Sequence, residues 1–172
     1  MTGHHKLIIM RHAKSDWHTD ADTDFDRPLA ARGKKDAPRM AKWLRQQGLI
    51  PDLVISSPAL RARETAIMVA DKLGIEESCI QWFPEIYGAS VDDLLQVVAD
   101  IDKHANIILL IGHNPGLDEL LVHLSADEAV TSDSGKLMTT AAVAVLDYGE
   151  EPVSTRPAEA HLEILMRPKE LR

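Results

Sequence analysis

A single cysteine, Cys79, stands in the 172 residues, which excludes an intrachain disulfide framework and a cysteine-based zinc site. It fits a reducing compartment and reads as a small buried hydrophobe near a strand. Long apolar runs are also missing, since none approaches the ~20 residues that span a bilayer. The opening residues Met1 to Lys6 lead straight into a short apolar stretch, with neither an export-type apolar region nor a small-residue cleavage site. The expectation is therefore a protein of the cytoplasm, with His4 and His5 as a solvated terminus without a role. Positive charge is scarce as well: the net charge is −8, and acids and bases are interleaved. No polybasic face follows a nucleic-acid backbone or an anionic membrane, so neither is expected as a partner. A field of that sign repels phosphate at long range, so any phosphate chemistry needs a local cluster of cations. Repeats and low-complexity segments are absent too. With 45% hydrophobic and 27% charged residues, one compact domain over residues 1–172 is expected. The oligomeric state cannot be read from these features.

Two hydrophobic patterns alternate along the chain. Lys6 to Arg11, Asp52 to Ser56, Asn106 to Gly112 and Thr140 to Asp147 are short runs rich in Ile, Leu and Val, as in strands covered on both faces. Helical spacing recurs in Ala37, Met40, Ala41 and Leu44, and again in Ala59, Ala66, Ile67, Ala70 and Leu73, with Gly48 and Gly74 as stops. Val91, Leu94, Leu95 and Val98 predict a third helix capped by Ser90, and Leu117, Leu120, Leu121 and Leu124 a fourth entered through Pro115. Ile80 to Phe83 reads as a short edge strand and His161 to Met166 as the last strand. Tyr148 to Ala160, rich in Pro and Glu, reads as an exposed loop between the last two strands. The order implies an α/β domain, a mostly parallel central sheet with helices on both faces, whose ligands sit beyond the C-terminal strand ends.

Residues with chemical potential fall at those ends. Arg11-His12 follows the first apolar run, and Gly112-His113-Asn114-Pro115 follows the third. Ser57-Pro58-Ala59-Leu60-Arg61-Ala62-Arg63-Glu64-Thr65 follows the second and starts a helix with arginines in its early turns. Two histidines and two or three arginines thus converge. A transferring phosphoryl group needs such a set: guanidinium forks for its oxygens and a nucleophile in line with the leaving atom. Neutral imidazole can attack phosphorus and form a phosphohistidine that water opens, splitting one displacement into two.

These motifs resemble the histidine phosphatase superfamily, the phosphoglycerate-mutase-like group. Arg11-His12-Ala13-Lys14-Ser15-Asp16-Trp17 is similar to its strand-Arg-His-Gly signature with Ala in the Gly position, a form of the small SixA-like phosphohistidine phosphatase branch. Asp26-Arg27-Pro28-Leu29-Ala30-Ala31-Arg32-Gly33 is similar to that branch's second motif, Ser56 to Thr65 to the third and Gly112 to Pro115 to the fourth. The resemblance implies a three-layer fold and a phosphatase without metal or cofactor. In it His12 becomes phosphorylated, Arg11 and Arg61 bind phosphoryl oxygens, and His113 stabilises the transferring group. Arg61 rather than Arg63 takes the family's arginine position because it stands four before Thr65; Arg63 is expected to be structural. Ser15 and Arg27 are further candidates for phosphate contact, and Glu85 is a candidate proton donor. The implied substrate is a phosphohistidine-bearing protein, because the chain lacks the insertions that would fold over a sugar phosphate.

Other readings remain open at this point. The same four pocket residues would serve a small-metabolite phosphatase or mutase, and a non-catalytic phosphate-binding module would need no more. The acidic run Asp20, Asp22, Asp24, Asp26 suggests Ca²⁺, but an EF-hand loop begun at Asp20 needs Gly at its sixth position and Glu at its twelfth, where Phe25 and Ala31 stand. The run is expected to be a solvated, mobile segment at the pocket mouth.

Overall fold

The computed structural model describes residues 3–102 and 104–171. Its six strands are β1 (Lys6–Arg11), β2 (Leu53–Ser56), β3 (Ile80–Trp82), β4 (Ile107–Gly112), β5 (Val143–Asp147) and β6 (His161–Met166). They form one sheet in the order β3-β2-β4-β1-β5-β6. The pairs β2–β3, β2–β4 and β1–β4 are parallel, whereas β5 runs antiparallel to both β1 and β6. The four apolar runs read as covered strands are the four interior ones, and the two weaker runs are the edges. The fourth run starts later than its composition suggests: Ala141 has a φ of 64°, and the turn at residues 140–141 delays pairing to Val143.

Helices α1 (Ala31–Gln46) and α2 (Leu60–Leu73) cover one face, and α3 (Val91–Asp100) and α4 (Gly116–Leu124) the other. The period-2 alternation of β1 shows how three layers follow from the sequence. Leu7 and Ile9 pack towards α3 and α4, while Ile8 and Met10 pack towards α1 and α2, and all four are fully buried. Each such side chain contributes roughly 1.5–3 kcal/mol relative to exposure. Helix ends follow the signals in the sequence. Ser90 Oγ accepts from Asp93 N while Asp93 Oδ2 accepts from Ser90 N, a closed capping box at α3. Gly74 ends α2 at a φ of 74°.

Two expectations need correcting. Cys79 is exposed, at the end of the short 3-10 turn Glu77–Cys79, where the chain has not yet entered β3. The segment at His4 and His5 is held rather than free: His4 Nδ1 lies 2.8 Å from Asp147 Oδ2, and His5 exchanges backbone hydrogen bonds with Tyr148 and Gly149. Among the described residues no helix is long and apolar enough to cross a membrane.

Candidate active site

Sheet order brings together residues far apart in sequence. β4 lies between β1 and β2, with Arg11 opposite Gly112 and Ser56 opposite Ile111. The next residues, His12, Ser57 and His113, therefore emerge side by side at the C-terminal edge of three parallel strands. The imidazoles of His12 and His113 have their centroids 5.1 Å apart.

His12 is buried, and its Nδ1 lies 2.7 Å from the carbonyl oxygen of Ala13. A carbonyl only accepts, so the ring hydrogen sits on Nδ1 and Nε2 carries a lone pair. Burial, with the neighbouring His113, Arg11 and Arg61 adding to it against the Ala13 hydrogen bond, pushes the His12 pKa down to about 3. His12 is thus a neutral base at physiological pH. His113 Nε2 meets Ser57 Oγ at 2.8 Å, and that hydroxyl also accepts from Ala59 N. When the Ser57 hydroxyl gives its proton to Nε2, the ring hydrogen sits on His113 Nδ1 and is available to an anion. Burial and then Arg61 lower the His113 pKa to about 4.

Arg11 extends one terminal nitrogen to Met138 O at 3.1 Å. Burial lowers its pKa, with Asp118 acting in the opposite sense. Arg61, in the first turn of α2, is buried and donates to Asp24 O at 2.8 Å and to Asp24 Oδ2 at 3.1 Å. Three buried polar atoms here have no partner: Arg11 Nε, Arg61 Nε and His113 Nδ1. Unsatisfied buried donors are uncommon because each forfeits roughly 1–3 kcal/mol of solvation. Three donors in one place can be satisfied together by an acceptor-rich anion.

Several residues fix this arrangement without having been singled out in the sequence. Thr65 Oγ1 donates to Arg61 O at 2.7 Å and accepts from Ala13 N at 3.0 Å, tying the loop after β1 to α2. Glu64 accepts from Leu29 N. Gly33 permits α1 to approach the same loop, because a Cβ there would lie 2.2 Å from Lys14 O. Asn114 and Asp118 anchor the 137–138 segment: Asn114 Nδ2 donates to Met138 O, and Asp118 accepts from Leu137 N and Met138 N. The Ser57, Asn114 and Thr65 positions lie inside the quoted motifs, but their polar partners arise from loops whose paths the sequence does not give.

Of the further candidates, Arg27 and Ser15 pair with each other, Arg27 donating to Ser15 Oγ at 2.9 Å and to Asp24 Oδ1 at 3.0 Å. Arg63 lies over the Trp82 ring, 5.5 Å from its centroid, away from the pocket cations. Glu85 is exposed on the turn Pro84–Ile86 and makes no hydrogen bond or ion pair among the described residues. Tyr87, two residues on, is the member of that turn that engages the pocket: its hydroxyl donates to Asp24 Oδ2 at 2.8 Å, and its ring packs edge-on to His113. Asp24 is correspondingly more than a solvated acid. The Tyr87, Arg27 and Arg61 contacts outweigh its desolvation and hold it ionised, with a pKa near 2. Among the described residues no group of three or more His, Cys, Asp or Glu side chains is placed to hold a metal ion.

The model of the histidine phosphatase superfamily (branch 1) matches residues 7–94, which carry three of the four motifs. The chain belongs to the histidine phosphatase superfamily. Membership supports a phosphatase enzyme, and the architecture is the phosphoglycerate-mutase-like α/β fold. Phosphohistidine phosphatase SixA of Escherichia coli is 29% identical over 147 residues, 84% of this chain and 86% of the relative. An uncharacterised chloroplast protein of Arabidopsis thaliana is 34% identical over 128 residues, 70% of this chain but only 59% of that longer protein. Among solved structures, the protein histidine phosphatase SixA complexed with tungstate superposes with a TM-score of 0.79 at 28% identity, covering 97% of this chain and 99% of that one. The superfamily member described here thus falls in a SixA-like branch.

Proposed function

We propose that this phosphatase removes the phosphoryl group from phosphohistidine on a protein, through a covalent phosphohistidine on His12. The observation that carries the reading is the pairing of a buried neutral imidazole, its Nε2 lone pair free, with three unpartnered donors on Arg11, Arg61 and His113. The Nε2 lone pair forms a bond to phosphorus as the bond from phosphorus to the substrate imidazole nitrogen breaks, and the departing imidazole takes a proton from solvent. Water then attacks phosphorus, the bond to Nε2 breaks, and inorganic phosphate leaves neutral His12 behind. Arg11, Arg61 and His113 hold the phosphoryl oxygens through both displacements, and charge spread over those oxygens is met by fixed donors that need no reorganisation.

Leaving-group chemistry favours phosphohistidine over an ester. An alkoxide needs a positioned acid. Asp24, the carboxyl bonded to Arg61, is held ionised with a pKa of about 2, and the exposed Glu85 makes no hydrogen bond or ion pair among the described residues. Protonated imidazole departs readily without one. The tungstate held by a SixA relative, a tetrahedral oxyanion, supports a phosphoryl-sized site in this branch.

The test is incubation of the purified protein, in chelator, with a phosphohistidine-bearing protein and separately with small phosphate esters, for wild type and His12→Ala. Release from phosphohistidine by wild type, lost by at least ~10³-fold in a folded variant, is expected. Fast turnover of an ester with none from phosphohistidine would transfer the assignment to a small-metabolite phosphatase.

A further inference from the structure

The residues that join β1 to α1 carry a surface that the chemistry above leaves unused. The chain has only seven aromatic residues, yet three of them line contacts that lead to this site: Tyr87 packs on His113, Phe25 on Tyr87, and Trp17 under the Arg27 guanidinium. Among the described residues the exposed large hydrophobics are Trp17, Phe25, Ile50, Val122 and Val130, and both aromatic ones lie in residues 16–26. Trp17 is 67% exposed but not loose: the Arg27 guanidinium lies 3.5 Å from its ring centroid, and Arg27 is itself held by Ser15, Asp24 and the Asp16 carbonyl. Phe25 packs edge-on to Tyr87 at 5.0 Å, and Tyr87 packs on His113. An indole fixed in place and facing water presents apolar area to a partner without having to be ordered on binding.

Position and charge say what that partner is. Among the described residues Trp17 is linked to Arg61 only through Arg27 and Asp24, so a substrate meets the indole by extending beyond its phosphoryl group. Residues 15–26 contain five aspartates and no lysine or arginine. Asp24 is committed to Arg27, Arg61 and Tyr87, Asp26 accepts from Thr23, and Asp16 caps His18 N. Asp20 and Asp22 are exposed and make no hydrogen bond or ion pair among the described residues.

We infer that residues 16–26 form a docking lip for a protein segment, in which Trp17 and Phe25 seat an apolar or guanidinium group and Asp20 and Asp22 face basic side chains flanking the phosphorylated histidine. The inference rests on the phosphohistidine reading above. The lip gives an acidic protein a way to favour phosphate presented on a basic surface, at a rim where the charge pairs remain sensitive to salt.

The experiment compares wild type, Trp17→Ala and Asp20→Asn/Asp22→Asn on three probes: free phosphohistidine, a phosphohistidine peptide flanked by lysines, and the same peptide flanked by glutamates. Wild type is expected to favour the lysine peptide in kcat/KM by about tenfold, with the preference shrinking as salt rises. Trp17→Ala should lower kcat/KM for the lysine peptide about tenfold and the double Asn variant about threefold, with free phosphohistidine unchanged within about twofold. Equal use of the two peptides by wild type, or variants that slow all three probes alike, would overturn the docking lip while leaving phosphohistidine hydrolysis standing. No release from any of the three, with an ester turned over, would overturn the phosphohistidine reading and the lip with it.

Discussion

Two imidazoles held neutral in a buried pocket make the fold sensitive to mild acid. The ordinary His pKa of 6.5 falls to about 3 for His12 and about 4 for His113 in the folded chain. A depressed folded pKa means that the unfolded chain binds the proton first, so stability increases with pH. The contribution is complete above pH 6.5 and is lost as the pH falls towards 4 and 3. Between pH 7 and pH 5 each ring goes from about one-quarter protonated to almost fully protonated in the unfolded chain but stays neutral in the fold, a loss of ~2 kcal/mol apiece. Together they remove up to ~4 kcal/mol, a large fraction of the roughly 5–15 kcal/mol typical of a domain. Urea unfolding at pH 7, 6 and 5 measures it, with His113→Gln and His12→Gln/His113→Gln as references. The single variant should lose about half of the wild-type pH dependence, or somewhat more because His113 also depresses the His12 pKa across the 5.1 Å separation, and the double variant nearly all of it. Parallel pH profiles for all three proteins would show that the rings are not held neutral by burial, and the case for His12 as a ready base would fall with them.

Thr65→Val keeps the shape but leaves Ala13 N–H without its acceptor in a buried loop, and should destabilise by about 1–3 kcal/mol while lowering kcat more than it raises KM; unchanged kcat would mean that the clamp does not position His12. Gly33→Ala forces a methyl group against Lys14 O, and a loss of at least ~2 kcal/mol in urea unfolding is expected; a wild-type midpoint would show that α1 simply shifts away. Asp24→Asn removes the carboxylate that occupies the Arg61 fork, so inorganic phosphate should bind about fivefold more tightly by calorimetry, whereas weaker binding would mean that Asp24 orients Arg61 rather than competing for it.

The parts of this protein that were legible in sequence are those governed by local rules. Buried parallel strands must be continuous apolar runs, so β1, β2, β4 and β5 were visible, and chemistry placed directly after such runs led to His12 and His113, which the sheet order sets side by side. Arg61 was set apart from Arg63 by the family resemblance, whose arginine stands four before Thr65, and not by the helical pattern, which leaves both arginines open. What stayed hidden was what a loop decides. Nothing in the run Asp20 to Asp26 distinguishes Asp24, which pins Arg61 and Arg27, from Asp22, which makes no hydrogen bond or ion pair among the described residues. Tyr87 and Glu85 stand two apart on one short turn, and a sequence reading that seeks a carboxylate chooses the residue that faces water.

That contrast bears on how an acidic chain can bind a dianion at all. The net charge of −8 opposes a dianion at long range, and the guanidinium groups of Arg11 and Arg61 offset it at close range. Asp24, shared among Arg27, Arg61 and Tyr87, compensates those cations at the expense of competing with an incoming phosphoryl group. A carboxylate in that position therefore stabilises the fold and restrains anion affinity through the same contacts, so substitutions at Asp24 should move stability and phosphate binding in opposite directions. A variant that improved both would show the two effects to be separable, and would place the restraint on phosphate elsewhere in the acidic segment.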